Sequence, residues 1–273
     1  MNKKERLEEL KGKLNLIVEG KENYPKDYSS IIVANHNSLK DIFYLPFGFD
    51  DEIVSLVSSR LIYKRDLERQ VLVRKYLNAF PIEAHGGNSY SELCLENASK
   101  LISAGISCNI FPEGAYIDDK ENVYKGRTGA ARILFKSIEN GYLPHFIPVS
   151  IDVESSSKDL DDYNLDGDKV TIKILEPIDY SSELYDYKQC YNKEGENKIL
   201  HSVTDRAMKS IADSLGRTYQ DEYIELFKKG NVIFENGDVI DTEVAQKNNY
   251  INRYEMELEN RVLKLINNHY SNQ

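Results

Sequence analysis

The sequence predicts an α/β fold: a two-layer α/β domain around a largely parallel sheet, with an N-terminal helix and a C-terminal helical extension. Three observations carry this. From about Ser30, short runs rich in β-branched residues alternate with segments of helical period. A further strand-like run, KVTIKILEPI (169–178), follows the alternating region. Amphipathic helical patterns stand at both ends of the chain.

At the start, Leu7, Leu10, Leu14 and Ile17 recur at helical spacing, with a basic outer face of Lys3, Lys4, Arg6, Lys11 and Lys13. They predict an amphipathic helix within an N-terminal segment spanning 1–27. Strands are expected at IIVAN (31–35), IVSLVS (53–58), FPIE (80–83), SCNIFP (107–112) and HFIPVSI (145–151). Helices are expected between them, near 38–47, 61–77, 89–104 and 128–139. Such alternation places helices against parallel strands. Lys198 to Leu215 reads as one more helix and Gly216 as its stop, which ends the main domain at 28–216. In the extension, 217–273, a loop with Asn236 and Gly237 leads to a long helix marked by Ile251, Tyr254, Leu258, Val262 and Leu265 or Ile266.

Composition narrows the function. With 35 Lys plus Arg against 45 Asp plus Glu in 273 residues, the net charge of −10 argues against a general nucleic-acid binder, which would present a basic face. Cys94, Cys108 and Cys190 form no CxxC pair, so neither a disulfide framework nor a structural zinc site is expected, and a reducing compartment is. The N-terminus lacks the apolar core of an export signal. The longest uncharged stretch, Leu101 to Pro112, is too short to cross a bilayer, which takes about 20 apolar residues. The expected location is cytoplasmic, with peripheral attachment at the inner membrane face as the membrane-bound variant.

The chemistry concentrates in two segments. Asn35-His36-Asn37-Ser38-Leu39-Lys40-Asp41 stands between a strand and a helix. On a straight helix, five residues would turn the His and Asp side chains roughly 140° apart, so the two meet only across a turn. There the Asp41 carboxylate can hold one imidazole nitrogen while the other faces the open end of the sheet, the orienting half of a triad. No Ser or Cys nucleophile is needed if His36 deprotonates a hydroxyl of a bound substrate that attacks an acyl carbonyl. The same residues also fit a structural His beside a helix-capping Ser38. Phe111-Pro112-Glu113-Gly114 likewise follows an apolar strand and falls on the same carboxyl-end rim. Glu113 can hydrogen-bond a substrate hydroxyl and Gly114 lets the backbone approach it, although a turn with a solvated Glu reads the same way.

Together these segments resemble the glycerolipid (lysophospholipid, 1-acylglycerol-3-phosphate) acyltransferases, whose shared blocks are NHxSxxD and FPEG. The chain carries them as NHNSLKD and FPEGAY, with NAFPIEAHGGN (78–88), GRTGAARIL (126–134) and FIPVSI (146–151) in the expected order, over about Tyr28 to Leu215. The resemblance implies the fold of that family. It also implies acyl transfer from a thioester on coenzyme A or acyl carrier protein to an acceptor hydroxyl, on lysophosphatidic acid or a related glycerolipid. His36 would be the general base and Asp41 its orienting carboxylate. Asn35 and Ser38 would shape the turn, and Glu113 and Gly114 would help hold the acceptor. No metal is implied, and no cofactor beyond the acyl-CoA or acyl-ACP co-substrate.

The departures bear on the acceptor. Many members carry an Arg at the end of the second block and another two residues past FPEG, both associated with the acceptor phosphate; here the positions hold Ala84 and Tyr116. The pair cannot make the forked, charge-assisted bonds that suit phosphate. Arg127, or His85 beside Ala84, is the candidate for compensation. A phosphate-free acceptor is the close alternative, and a hydrolase or a non-catalytic lipid-binding relative the more distant ones. The basic run from Arg60 to Lys75 fits an anionic membrane surface, an acidic carrier protein, or simply a solvated helix face. Asp162 to Gly167 copies the opening of a calcium loop, but Lys173 stands where the bidentate Glu belongs, so a turn is expected. His85, His145, His201 and His269 have no ligand-like spacing.

Overall fold

The computed structural model describes residues 3–63, 73, 77–83, 88–155, 164–224 and 231–271. Helix α1 (Lys3–Lys11) leads into β1 (Asn15–Glu19) and β2 (Ser30–Ala34), then α2 (Asp41–Phe47), β3 (Val54–Ser58), α3 (Ser59–Tyr63) and β4 (Phe80–Ile82). Next come α4 (Ser89–Ser103), β5 (Cys108–Ile110), β6 (Asn122–Tyr124), α5 (Gly129–Glu139), β7 (His145–Glu154) and β8 (Lys169–Ile174). The main sheet has seven strands in the order β1-β8-β7-β2-β5-β3-β4. The five from β7 to β4 run parallel. Strand β8 returns antiparallel to β7, and β1 pairs parallel to β8 at the edge.

This is the α/β architecture with a largely parallel sheet that the sequence predicts. Helices cover both faces of the sheet. Along β2 the side chains alternate: Ile31 and Val33 join one buried cluster with residues of α4 and α5, while Ile32 and Ala34 join another with α2 and Leu10 of α1. A strand buried on both faces is apolar throughout, which is how IIVA reads.

The N-terminal segment is corrected. The helix stops at Lys11, before Gly12, and Asn15–Glu19 forms a strand instead of a continued helix over Leu14 and Ile17. Glycine disfavours helix continuation, and the β-branched run NLIVE gains a full ladder against β8, from Asn15 opposite Lys169 to Glu19 opposite Lys173. Only α3 covers the start of the helix expected at 61–77, and residues 64–72 and 74–76 lie outside the described residues. So do the first two residues of the calcium-like run, and its end turns at Gly167 (φ 79°) before β8, as expected.

After β8 come α6 (Ser181–Gln189), the long α7 (Lys193–Leu215), β9 (Thr218–Gln220), the hairpin strands β10 (Asn231–Ile233) and β11 (Val239–Asp241), α8 (Thr242–Lys247) and α9 (Ile251–Ser271). Asn192 caps α7 by accepting from the Gly195 N–H at 2.8 Å, and Gly216, in the left-handed region at φ 64°, ends it. The boundary placed at Gly216 therefore marks a helix end. It does not mark a gap in packing: β9 pairs with β6, and Tyr254, Leu258, Val262 and Leu265 of α9 are buried in the same cluster as Ile31 and Val33 of the sheet. Among the described residues no helix is long and apolar enough to cross a membrane.

Candidate functional site

Strands β2 and β5 are neighbours and parallel, with Val33 opposite Ile110, so the loops leaving their carboxyl ends lie side by side. The first holds residues 35–40 and the second begins at Phe111. This adjacency brings the two sequence motifs together.

Asn35 continues the β2–β7 pairing with its side chain. Its Oδ1 accepts from the Ile151 N–H at 2.8 Å, and its Nδ2 donates to the Ile151 carbonyl at 2.9 Å and to Asn37 Oδ1 at 2.8 Å. The chain then turns sharply around Asp41. One carboxylate oxygen, Oδ2, accepts from the Asn37 N–H at 2.7 Å and the Ser38 N–H at 2.8 Å and lies 3.0 Å from His36 Nδ1. Ser38 Oγ donates to the other oxygen at 3.4 Å. A carboxylate only accepts, so in the tautomer this contact favours, Nδ1 carries the proton and Nε2 the lone pair. Among the described residues Nε2 has no hydrogen-bond partner. The ring is fixed on its face by Phe111, stacked at 4.2 Å between centroids, and on its edge by Tyr116 at 5.3 Å and 69°. Apart from its place in the FPEG block, no sequence pattern points to the Phe111 stack.

Glu113 is buried against the same turn and is fully engaged by backbone. Its Oε2 accepts from the His36 N–H at 2.7 Å and its Oε1 from the Tyr124 N–H at 3.0 Å. Burial pushes its carboxyl up to about 7, against those two bonds, which favour the charged form. Gly114 takes φ 76° and donates to the Phe111 carbonyl, a turn that a side chain would strain. Glu113 and Gly114 thus meet His36 in space, as the motif spacing suggests, but the Glu113 oxygens already brace the His36 turn.

Arg127 reaches the FPEG loop through its backbone, whose N–H donates to the Pro112 carbonyl at 2.7 Å. Its guanidinium turns toward residues 223–224, donating to the Ile224 carbonyl at 3.3 Å and lying 5.2 Å from the Tyr223 ring centre. Among the described residues its Nε is buried without a partner. Ala84 and His85, and most of the basic run beginning at Arg60, lie outside the described residues.

Two further groups support the rim. Lys40, only 2% exposed, pairs with fully buried Asp168 at 2.9 Å, where Tyr44 OH also donates at 2.6 Å. This pair ties the start of α2 to the turn before β8. At the end of β4, Glu83 accepts from Ser59 Oγ at 2.6 Å and Tyr254 OH at 3.0 Å, and burial raises its carboxyl to about 7. Cys94 and Cys108 are buried, with thiols pushed up by desolvation, so neither is an activated nucleophile. Among the described residues no three His, Cys, Asp or Glu side chains gather as a metal site requires.

Residues 15–152, a span holding both rim loops, match the family model described as "Acyltransferase". None of the curated proteins matches the chain. Among solved structures it is similar to the 1-acyl-sn-glycerophosphate (LPA) acyltransferase PlsC from Thermotoga maritima, with 24% sequence identity and a TM-score of 0.46 over 77% of this chain and 81% of that one.

Proposed function

Because the chain belongs to the acyltransferase family, we propose that this enzyme moves a fatty acyl group from an acyl-CoA or acyl-ACP thioester to the hydroxyl of a lysophosphatidic acid or related glycerolipid, with His36 as general base and Asp41 as its orienting carboxylate. The observation that carries the mechanism is the 3.0 Å contact from His36 Nδ1 to Asp41, with no hydrogen-bond partner for Nε2 among the described residues. Nε2 takes the proton of the acceptor hydroxyl as its oxygen attacks the thioester carbonyl. The C–S bond breaks as the tetrahedral intermediate collapses, and the thiolate leaves and takes the proton back from the imidazolium. Asp41 stabilises that imidazolium, and the Phe111 stack keeps the ring from turning out of line. A thioester is already activated, so neither metal nor further cofactor enters this reading.

A phosphate-free acceptor is the second reading, favoured by Tyr116. Where phosphate-reading relatives carry an arginine, this chain sets an aromatic ring against His36. The guanidinium of Arg127, the candidate substitute, is engaged by residues 223–224, which favours the second reading further. The donor and acceptor meet the enzyme at a membrane surface or are delivered by a carrier.

The test is thiol release from long-chain acyl-CoA and acyl-ACP, with product mass spectrometry, across lysophosphatidic acid, glycerol 3-phosphate and phosphate-free hydroxyl acceptors. His36→Ala and Asp41→Asn should lower turnover by at least about 100-fold. Acceptor-dependent release that survives His36→Ala would end the general-base reading. The preferred acceptor separates the two substrate classes, and Arg127→Ala should raise the Michaelis constant selectively for a phosphorylated acceptor if that residue reads phosphate.

A further inference from the structure

One arginine enters the catalytic turn from far along the chain. Gly216 ends α7 in the left-handed conformation, and the Arg217 N–H donates back to the Ala212 carbonyl at 2.9 Å. The next residue starts β9, held to the rim by the Thr218 N–H on the Glu121 carbonyl at 2.8 Å and by pairing with β6. This geometry delivers the Arg217 side chain, only 5% exposed, into the space behind the His36 turn.

Its guanidinium binds three separate pieces of chain. Nη1 donates to Asn37 Oδ1 at 3.1 Å and to the Asp119 carbonyl at 3.4 Å, and Nη2 to Asp152 Oδ1 of β7 at 2.8 Å. Asn37 is the hub. Its Oδ1 also accepts from Asn35, and its Nδ2 donates to the carbonyls of Ile117 at 3.1 Å and Asp119 at 2.9 Å. Its backbone N–H binds the same Asp41 oxygen that holds His36. A forked donor fits such a three-point junction, whereas an ammonium would satisfy it only in part.

We propose that Arg217 is a positioning residue: it fixes the Asn37 side chain and, through it, the hydrogen-bonded frame in which Asp41 orients His36. The inference rests on the reading of His36 as the base. Its positive charge also opposes the effect of burial on Glu113, which places it in the electrostatic environment of the same turn.

The experiment is a double-mutant cycle on thiol release with the preferred donor and acceptor. Arg217→Met should lower kcat by about 10- to 100-fold, the scale of a misplaced catalytic group, with the acceptor KM within about threefold. Asn37→Ala should cost a similar factor. The double variant should be no more than about threefold below the worse single variant, because the second deletion removes a link already broken. Wild-type kcat in Arg217→Met, or losses that multiply in the double variant, would overturn the proposal. If Arg217→Met does not fold, Arg217→Lys enters the same cycle and is judged by the same coupling. His36→Ala runs alongside. Release that survives it removes the base reading and this inference with it, whereas release lost in His36→Ala but undiminished in Arg217→Met removes the positioning role alone.

Discussion

Glu113 gives the sharpest quantitative expectation, since its carboxyl is 3% exposed and braces two backbone donors. Burial lifts it from 4.5 to about 7. Between those values the folded protein keeps a proton that the unfolded chain releases, so this group's contribution to stability falls as pH rises through the interval. At about 1.4 kcal/mol per pKa unit, the penalty approaches about 3 kcal/mol above pH 7, and most of it develops between pH 5 and pH 8. Glu113→Gln removes that titration. It also turns an amide NH₂ toward either the His36 or the Tyr124 N–H, leaving one buried donor unpaired at a cost of about 1–3 kcal/mol. The variant should therefore be clearly less stable than the parent at pH 5, and the gap should close by about 2–3 kcal/mol at pH 8. Urea unfolding of both proteins at pH 5, 6, 7 and 8 reads this directly, because other titrating groups, Glu83 included, cancel in the difference. A gap that stays constant or widens with pH would refute the assignment of a desolvated, proton-holding carboxyl at this turn.

Two further perturbations address the supports of the site. Lys40→Met strands the Asp168 carboxylate, fully buried beside it, and should cost about 3–5 kcal/mol in urea unfolding; adding Asp168→Asn should recover more than half. Leu258→Ala, in a helix that shares the main core, should cost about 2–5 kcal/mol and shift one cooperative transition of the whole chain. If 217–273 were an independent unit, the transition of the remainder would stay in place.

Much of the fold is legible in the sequence because strands buried on both faces are short apolar runs that few other structures tolerate. The cores of β2, β3, β5 and β7 all fall inside the expected runs. The errors come where local pattern is degenerate. Leu7, Leu10, Leu14 and Ile17 satisfy a helical period, but the last two stand beyond Gly12 in a segment that alternates equally well as an edge strand. Pairing with β8, about 150 residues away, decides between them, and no local pattern encodes it. Helical periodicity shows that a helix has an apolar face but not which side of the sheet receives it.

The site divides along the same line. His36 and Asp41 are five residues apart and recognisable because one turn must join them. What holds that turn comes from elsewhere: Glu113 and Phe111 from the neighbouring strand's loop, and Arg217 from 180 residues downstream in the hydrogen bond to Asn37. Gly216, the position where sequence alone would cut the chain, is the residue whose left-handed conformation aims Arg217 at the site. A protein ending there would keep both motifs intact yet lose the guanidinium at Asn37, the β9 support of the rim and the α9 side of the core together. The motifs thus mark where His36 and Asp41 meet, while the geometry that holds them is distributed across segments that only the folded chain assembles.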